Sequence, residues 1–166
     1  MLSPAAIVRH TRQNHALEHA TVHLLSRAFP GVRLMARSGP RGFTLVGEVP
    51  STAVRAAVEE GIRRLAHQEQ WLATHPLCGT NVAVAALVLG GAAFAAGILP
   101  ARSRGIKLLR GALAFALAWP LAQQAGPFAQ THLTTTPQVA DAFVIDVRSE
   151  RRGSLLVHRV LLGHTQ

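Results

Sequence analysis

The sequence predicts an α+β fold, in which a small domain of two helices and two β-hairpins carries an inserted two-helix transmembrane hairpin. Three observations lead to this prediction. Of the 166 residues, 49% are hydrophobic and only 15% are charged, whereas an ordinary soluble domain has roughly 25% charged residues. No Asp, Glu, Lys or Arg occurs between Glu69 and Arg102. Helical patterns and short strand-like runs flank this uncharged stretch on both sides.

Two helices and a β-hairpin are predicted before the uncharged stretch. Ser3-Pro4 is typical of a helix start, with Ser as the N-cap and Pro in the first turn, and Pro30-Gly31 is typical of a helix end. The sequence SGPRG between two short apolar runs predicts a hairpin. The predicted bounds are 4–29 for the first helix, 32–37 and 43–49 for the two strands, and Ser51 or Thr52 to about Leu72 for the second helix.

The uncharged stretch contains the first predicted membrane helix, Asn81–Leu99, which has the length of about 20 residues that a bilayer requires. A weaker apolar run follows Lys107 and is interrupted by Pro120 and two glutamines. The expected partner is a lipid bilayer, and the expected location is the plasma (inner) membrane, crossed more than once. The alternative is a buried helical hairpin in a soluble protein.

The orientation in the membrane stays open, because the charges conflict. The connector ARSRGIKLLR is basic, so the positive-inside rule would place it in the cytoplasm. The N-terminal segment is also rich in arginine, which favours the cytoplasm for that part instead. Basic residues outnumber acidic ones by 17 to 8, but nucleic acid is not an expected partner, since the arginines are scattered and aromatic residues are few.

A second β-hairpin is predicted near the C-terminus, where the runs 143–148 and 155–162 flank the sequence ERRG. The two hairpins could join into one four-stranded sheet. The predicted domain organisation is an N-terminal half at 1–78, the transmembrane hairpin at 79–127 and a completing β-hairpin at 128–166.

The sequence NHALEHATVH within the first helix contains the main candidate site. His15 and His19 are one helical turn apart and therefore share a face, so that both imidazoles could bind one zinc ion. Glu18 lies beside them and could act as the base for a metal-bound water. His23 is about 12 Å along the axis from His15, too far to share its ion. It could support the site from outside the ligand set, or pair with His19 at another site.

Glu69 is the predicted third ligand. It continues the apolar stripe of the second helix, which reads Val58, Ile62 and Leu65, and a carboxylate on a core-facing stripe needs a partner or a metal. Glu59 and Glu60 are weaker candidates, because each has an arginine four residues later, a pattern typical of solvated ion pairs.

His75 and Cys78, three residues apart at the entrance to the membrane, form a further candidate pair. They could bind a metal, or act as base and nucleophile. The alternative for Cys78 is an inert buried thiol at a helix start. Fe²⁺ and Mn²⁺ remain possible in place of Zn²⁺, since two histidines and a carboxylate suit several ions.

Two resemblances add to this interpretation. The strings NHALEHATVHLL and HPLCGTN, with two apolar segments closed by a C-terminal hairpin, resemble a family of small bacterial membrane proteins known only as a domain of unknown function. The order H-x-x-E-H is similar to that of the pitrilysin-like zinc metallopeptidases. That resemblance implies His15 and His19 as zinc ligands, Glu18 as base and Glu69 as third ligand.

The sequence therefore predicts a membrane-anchored metal-dependent hydrolase, with a zinc metallopeptidase that uses the HxxEH motif as its most specific form. Its substrate would be a peptide or a membrane protein. The alternative is a non-enzymatic metal-binding membrane module, or an accessory subunit of a larger membrane complex. A third hypothesis is a structural membrane subunit without metal.

Overall fold

The computed structural model describes residues 3–165 and divides the chain into two compact units. The first unit comprises the residues up to His75 and those from Thr134 onward, and the second is Pro76–Leu133. In chain order the elements are α1 (Pro4–Ala28), β1 (Met35–Gly39), β2 (Gly42–Val46), α2 (Ser51–Ala66), a 3₁₀ turn (Gln70–Ala73), α3 (Gly79–Ile98), α4 (Arg104–Ala129), a π-helical turn (Gln130–Thr134), β3 (Ala142–Arg152) and β4 (Leu155–His164). The α+β class is confirmed.

Helix α1 begins and ends where its capping residues predict. The Ser3 hydroxyl accepts a hydrogen bond from the backbone N–H of Ala6, and Pro4 occupies the first turn. The helix ends at Ala28, and Gly31 then adopts a left-handed φ of +89°. Residues on most of the circumference of α1 are buried in its central turns. This helix is therefore a core element of the first unit.

The two predicted β-hairpins join into one antiparallel sheet of order β1-β2-β4-β3. Strand β2 is central, and its residues Thr44 and Leu45 lie opposite Arg159 and His158 of β4. Gly42 has a φ of +132°, and a Cβ atom at this position would lie 2.1 Å from the Val160 carbonyl oxygen. Only glycine allows the two strands to approach this closely.

The hydrophobic core of the first unit lies between one face of the sheet and the helices α1 and α2. Its fully buried side chains come from both helices and from both central strands, and they include Leu17, Leu25, Leu45, Val54, Val58 and Val160. Alternate residues of β2 and β4 are exposed or only half-buried, as the two-residue period of a strand requires. The other face of the sheet therefore lies on the side away from α1 and α2.

Helix α2 is shorter than the apolar stripe predicts. It ends at Ala66, whereas the sequence predicted about Leu72. Gln68 adopts a left-handed φ of +72°, and this conformation turns the chain away from the helix axis before the 3₁₀ turn begins. Residues after Gln68 therefore no longer continue the helical face that Val58 and Leu65 define.

The second unit is a helical hairpin. Helix α3 has a mean hydropathy of 2.0 in its most apolar window, and the helical segment Arg104–Thr134, which contains α4, has 1.3. Gly111 packs near the Ala93 carbonyl and Gly126 against Asn81, so the two helices run antiparallel. Both are long and apolar enough to cross a membrane. Pro120 lies inside α4 without ending it.

Candidate metal site

Helix α1 places the rings of His15 and His19 side by side. Their centroids are 4.4 Å apart, with an angle of 60° between the ring planes. A ligand nitrogen of one lies within 4.8 Å of a ligand nitrogen of the other. The predicted juxtaposition of two imidazoles on one helical face is thus confirmed.

Both rings are oriented through Nδ1 by backbone carbonyl groups. Nδ1 of His15 lies 3.0 Å from the Thr134 oxygen, and Nδ1 of His19 lies 2.8 Å from the Ala73 oxygen. A carbonyl oxygen can only accept, so each Nδ1 carries a proton, and in the neutral ring Nε2 then carries the lone pair. His19 is 3% exposed, and its Nε2 is buried without a hydrogen-bond partner. A buried lone pair of this kind is costly unless a donor or a cation meets it.

The histidine pair is part of a longer row of four. The His75 ring lies 5.9 Å from the His19 ring and 4.7 Å from the His23 ring. Nε2 of His23 donates to the Thr74 carbonyl oxygen at 2.9 Å. His75 therefore bridges the distance along α1 that separates His19 from His23. We call His15, His19, His75 and His23 the histidine row.

Glu18 and Cys78 are the two other candidates that lie close in sequence to members of the histidine row, and their surroundings differ from each other. Glu18 is 7% exposed, which is unusual for a carboxylate. Cys78 is half-buried and belongs to the second unit, where it is the N-cap of α3. Its sulfur lies 3.4 Å from the backbone nitrogen of Thr80 and accepts that N–H.

The predicted third ligand, Glu69, is held by an arginine instead. Its two carboxylate oxygens pair with Nε and Nη2 of Arg64 at 2.7 and 2.6 Å, and the Arg64 guanidinium lowers the pKa of Glu69 below its ordinary value. Among the described residues, the group that could hold a metal ion includes His15 and His19 but not the Glu69 carboxylate. The reason is the early end of α2, because the stripe that predicted an inward Glu69 assumed a continuous helix through residue 72.

Glu59 and Glu60 lie on the surface, as their spacing predicts. Glu60 pairs with Arg63 at 2.7 Å, and Glu59 lies 3.9 Å from Arg55. Exposed pairs of this kind contribute little to stability, and they leave these two carboxylates outside the candidate site.

Sequence reasoning missed a second buried polar cluster, centred on Asn14. The Asn14 amide donates to the Gly39 carbonyl oxygen at 2.7 Å, and its oxygen accepts from Nε2 of His164 at 3.0 Å. The His164 ring stacks on His10 with centroids 4.1 Å apart. No local signal links them, because 150 residues separate Asn14 from His164.

His158 has a structural role, in agreement with its inward position in the alternating pattern of β4. It is fully buried, its Nε2 donates to the Gly47 oxygen at 3.1 Å, and its Nδ1 accepts from the Ser149 hydroxyl at 2.7 Å. Both nitrogens are thereby satisfied within the sheet.

Comparison with known proteins shows a family match over residues 10–147, a range that includes the whole histidine row and both apolar helices. The chain belongs to this family. It is described as Domain of unknown function (DUF6391). An uncharacterised protein of Picosynechococcus sp. is 38% identical over 133 residues, which cover 75% of this chain and 65% of the relative. The chain thus spans less than two thirds of that relative's length. No solved structure matches.

Proposed function

We propose that this member of the DUF6391 family is a membrane-anchored, zinc-dependent hydrolase that cleaves peptide bonds. The observation that supports this proposal is the paired orientation of His15 and His19, with Nδ1 of each ring held by a backbone carbonyl. Histidines that bind metals usually donate their other ring nitrogen in this way, which fixes the tautomer and the direction of the lone pair. The buried Nε2 of His19 would gain its missing partner in the ion.

The remaining protein ligand is proposed to come from the segment that follows the 3₁₀ turn. His75 already lies beside His19 in the histidine row. An imidazole nitrogen is a common zinc ligand, so we propose His75 as the third ligand.

Glu18 is the proposed general base. A catalytic zinc site keeps one position for water, and the ion lowers the pKa of that water to about 7. Glu18 is next to His19 in the sequence and is nearly buried, so a proton that it accepts would be shielded from bulk solvent. The order H-x-x-E-H is that of the inverted zinc peptidases, and this is the reason for proposing a peptide substrate.

The proposed anchor is the hairpin of α3 and α4, as a multi-pass element of the plasma membrane. The proposal is supported by their length and hydropathy, and by large apolar side chains such as Leu87, Phe94 and Leu117, which are 71–82% exposed. In water such a surface would be a strong liability to aggregation.

The decisive experiment measures zinc content and peptide hydrolysis on the same preparations of the full chain in detergent. We expect one zinc per chain in the wild type and loss of zinc in His15→Ala and His19→Ala. Glu18→Gln should keep its zinc and lose hydrolysis of a fluorogenic peptide mixture. Glu69→Gln is the matched control, because it removes an acidic charge outside the row and should retain both zinc and activity.

Cobalt substitution tests the proposed third ligand. A Co²⁺ ion held by imidazoles gives absorption bands in the visible range whose position and intensity depend on the ligand set, and His75→Ala should change these bands, whereas His67→Ala, a histidine outside the row, should leave them unchanged. A spectrum unchanged by His75→Ala would show that the third ligand is another group.

A second candidate function is favoured by the length of the histidine row. His75 and His23 provide more imidazoles than one catalytic zinc needs, and a closed set of protein ligands is typical of a non-catalytic site. Under this hypothesis the protein is a metal-binding membrane module. Wild-type protein with full zinc and no hydrolysis, unaltered by Glu18→Gln, would favour it.

A further inference from the structure

The face of the sheet away from α1 and α2 has arginines at three of the four positions of one row that runs across the strands. Arg37 of β1 and Arg159 of β4 both lie directly opposite Thr44 of β2, and Arg148 of β3 lies opposite Arg159. The three arginine side chains are exposed, whereas Phe43 and Leu45, which flank Thr44, are buried. The row therefore crosses all four strands on the side away from the core.

The charges on this face are poorly compensated. Arg148 pairs with Asp146 at 2.6 Å. Among the residues described, by contrast, Arg37, Arg41 and Arg159 form no ion pair. Like charges on neighbouring strands are unfavourable. A surface that collects three unpaired guanidinium groups is suited to an anionic ligand.

The same three arginines border a groove of about 710 Å³ on this face. Its lining also includes Met35, Val46 and Leu161, and Met35 is 67% exposed. The groove thus combines apolar surface with guanidinium groups, and it suits a ligand that has a phosphate at one end and hydrocarbon at the other.

We propose that this arginine-bordered groove, formed by β1, β2 and β4, binds the headgroup of an anionic phospholipid. Arg37, Arg41 and Arg159 would contact the phosphate, and the apolar lining would contact the glycerol and the first methylene groups. Within the chain, the first unit continues directly into the apolar hairpin at His75 and resumes directly after it at Thr134. A bilayer around that hairpin would keep lipid headgroups at high local concentration near the sheet. The choice of a lipid over other anions thus rests on the proposed membrane anchor, and it is independent of the metal site.

The test uses the full chain in a neutral detergent and short-chain phosphatidylglycerol as the probe. Calorimetry should show saturable binding of this lipid, and hydrogen exchange should show that it protects residues 35–46. Short-chain phosphatidylcholine, which has no net charge, should bind at least tenfold more weakly. Arg37→Gln/Arg159→Gln should reduce phosphatidylglycerol binding at least tenfold. Arg27→Gln/Arg63→Gln removes the same charge from α1 and α2, which pack on the opposite face of the sheet, and it should change binding by less than twofold.

Several results would overturn the proposal. Equal binding of the two lipids, or equal loss in both double variants, would show that the groove does not recognise the headgroup. Equally tight binding of inorganic phosphate would indicate a free-phosphate site, and tighter binding of a glutamate-rich peptide would indicate an acidic protein partner. Zinc content, measured on the same samples, should be unaffected in both double variants, so a failure of the metal site is distinguishable from a failure of this proposal.

Discussion

Replacing Asn14 with alanine should destabilise the first unit more than any other single change of an α1 residue to alanine that leaves the hydrophobic core intact. The Asn14 side chain is fully buried and ties α1 to two separate parts of the sheet. One bond reaches the Gly39 carbonyl oxygen in the β1–β2 hairpin, and the other comes from His164 at the end of β4.

The expected magnitude follows from three contributions. Two hydrogen bonds are lost, at about 1 kcal/mol each. The Gly39 oxygen and the His164 Nε2–H lose their partner, which adds about 1–2 kcal/mol, since the surroundings are only partly open to water. Alanine has a higher helix propensity than asparagine, and this offsets about 0.6 kcal/mol of the lost stability. The net expected loss in the free energy of unfolding is about 2–3 kcal/mol.

The assay uses the fluorescence of Trp71 during denaturant unfolding. The chain has two tryptophans, Trp71 in the first unit and Trp119 in the second, so a Trp119→Phe background leaves a reporter for the first unit alone. Thr11→Ala is the matched control, because Thr11 is on the same helix and its exposed hydroxyl donates to the Ile7 carbonyl oxygen within that helix. We expect it to change stability by less than about 0.5 kcal/mol.

A double-mutant cycle separates the two bonds. Asn14→Ala and His164→Ala should couple by about 0.5–1.5 kcal/mol, since each removes the partner of the other. If the free energy of unfolding of Asn14→Ala lies within about 0.5 kcal/mol of that of the Thr11→Ala control, the reasoning is refuted, because the two Asn14 hydrogen bonds would then contribute no measurable stability.

Three further predictions follow from local geometry. The Arg64 pair lowers the pKa of Glu69, so its stabilisation is present above the ordinary value of 4.5 and is lost as pH falls below it. Glu69→Gln should therefore be less stable than wild type at pH 7 and equal to it in strong acid, whereas a difference independent of pH would argue against the ion pair. Burial, together with the nearby His10, lowers the pKa of His164 below 6.5; the unfolded chain then binds the proton more readily, and stability should fall as pH decreases below 6.5. His164→Gln should flatten that part of the stability profile, and an unchanged slope would assign it to other groups. Gly42→Ala should cost at least about 3 kcal/mol, because the new Cβ would meet the Val160 oxygen at 2.1 Å. Gly31→Ala, which has a positive φ but open space around it, should cost only about 1 kcal/mol; equal costs would mean that strand spacing is not the reason for glycine at 42.

Much of the fold could be predicted because its signals are local. Ser3-Pro4 and Pro30-Gly31 marked the ends of α1, and alternating apolar residues with turn residues between them marked both hairpins. The end of α2 was predicted wrongly, since the apolar stripe continues to Leu72 while the helix stops at Ala66. The left-handed residue that redirects the chain is Gln68, which has none of the usual preference of glycine for that conformation.

The candidate site also has one part that the sequence predicts and another that it does not. His15 and His19 could be paired from the helical period alone. The position of His75 between His19 and His23 depends on how the segment after α2 returns to α1, and no spacing in the sequence specifies that. The contact between Asn14 and His164 joins the two ends of the chain, so it too required the folded structure.

Pairing of β2 with β4 across the apolar hairpin has a consequence for biosynthesis. The partner of Val46 is Val157, so the ribosome must add about 110 further residues after β2 before its open edge can be covered, which takes roughly 5–20 s at ordinary translation rates. The carbonyl group of Thr134 that orients His15 also emerges late. During this interval the nascent chain exposes the open edge of β2 and an imidazole pair that lacks the Thr134 carbonyl group, and the apolar hairpin is the next segment to leave the exit tunnel. Under the proposed membrane anchor, delivery of that hairpin to the bilayer would precede completion of the sheet, and a nascent chain that ends before β4 should have an N-terminal half that is still sensitive to protease.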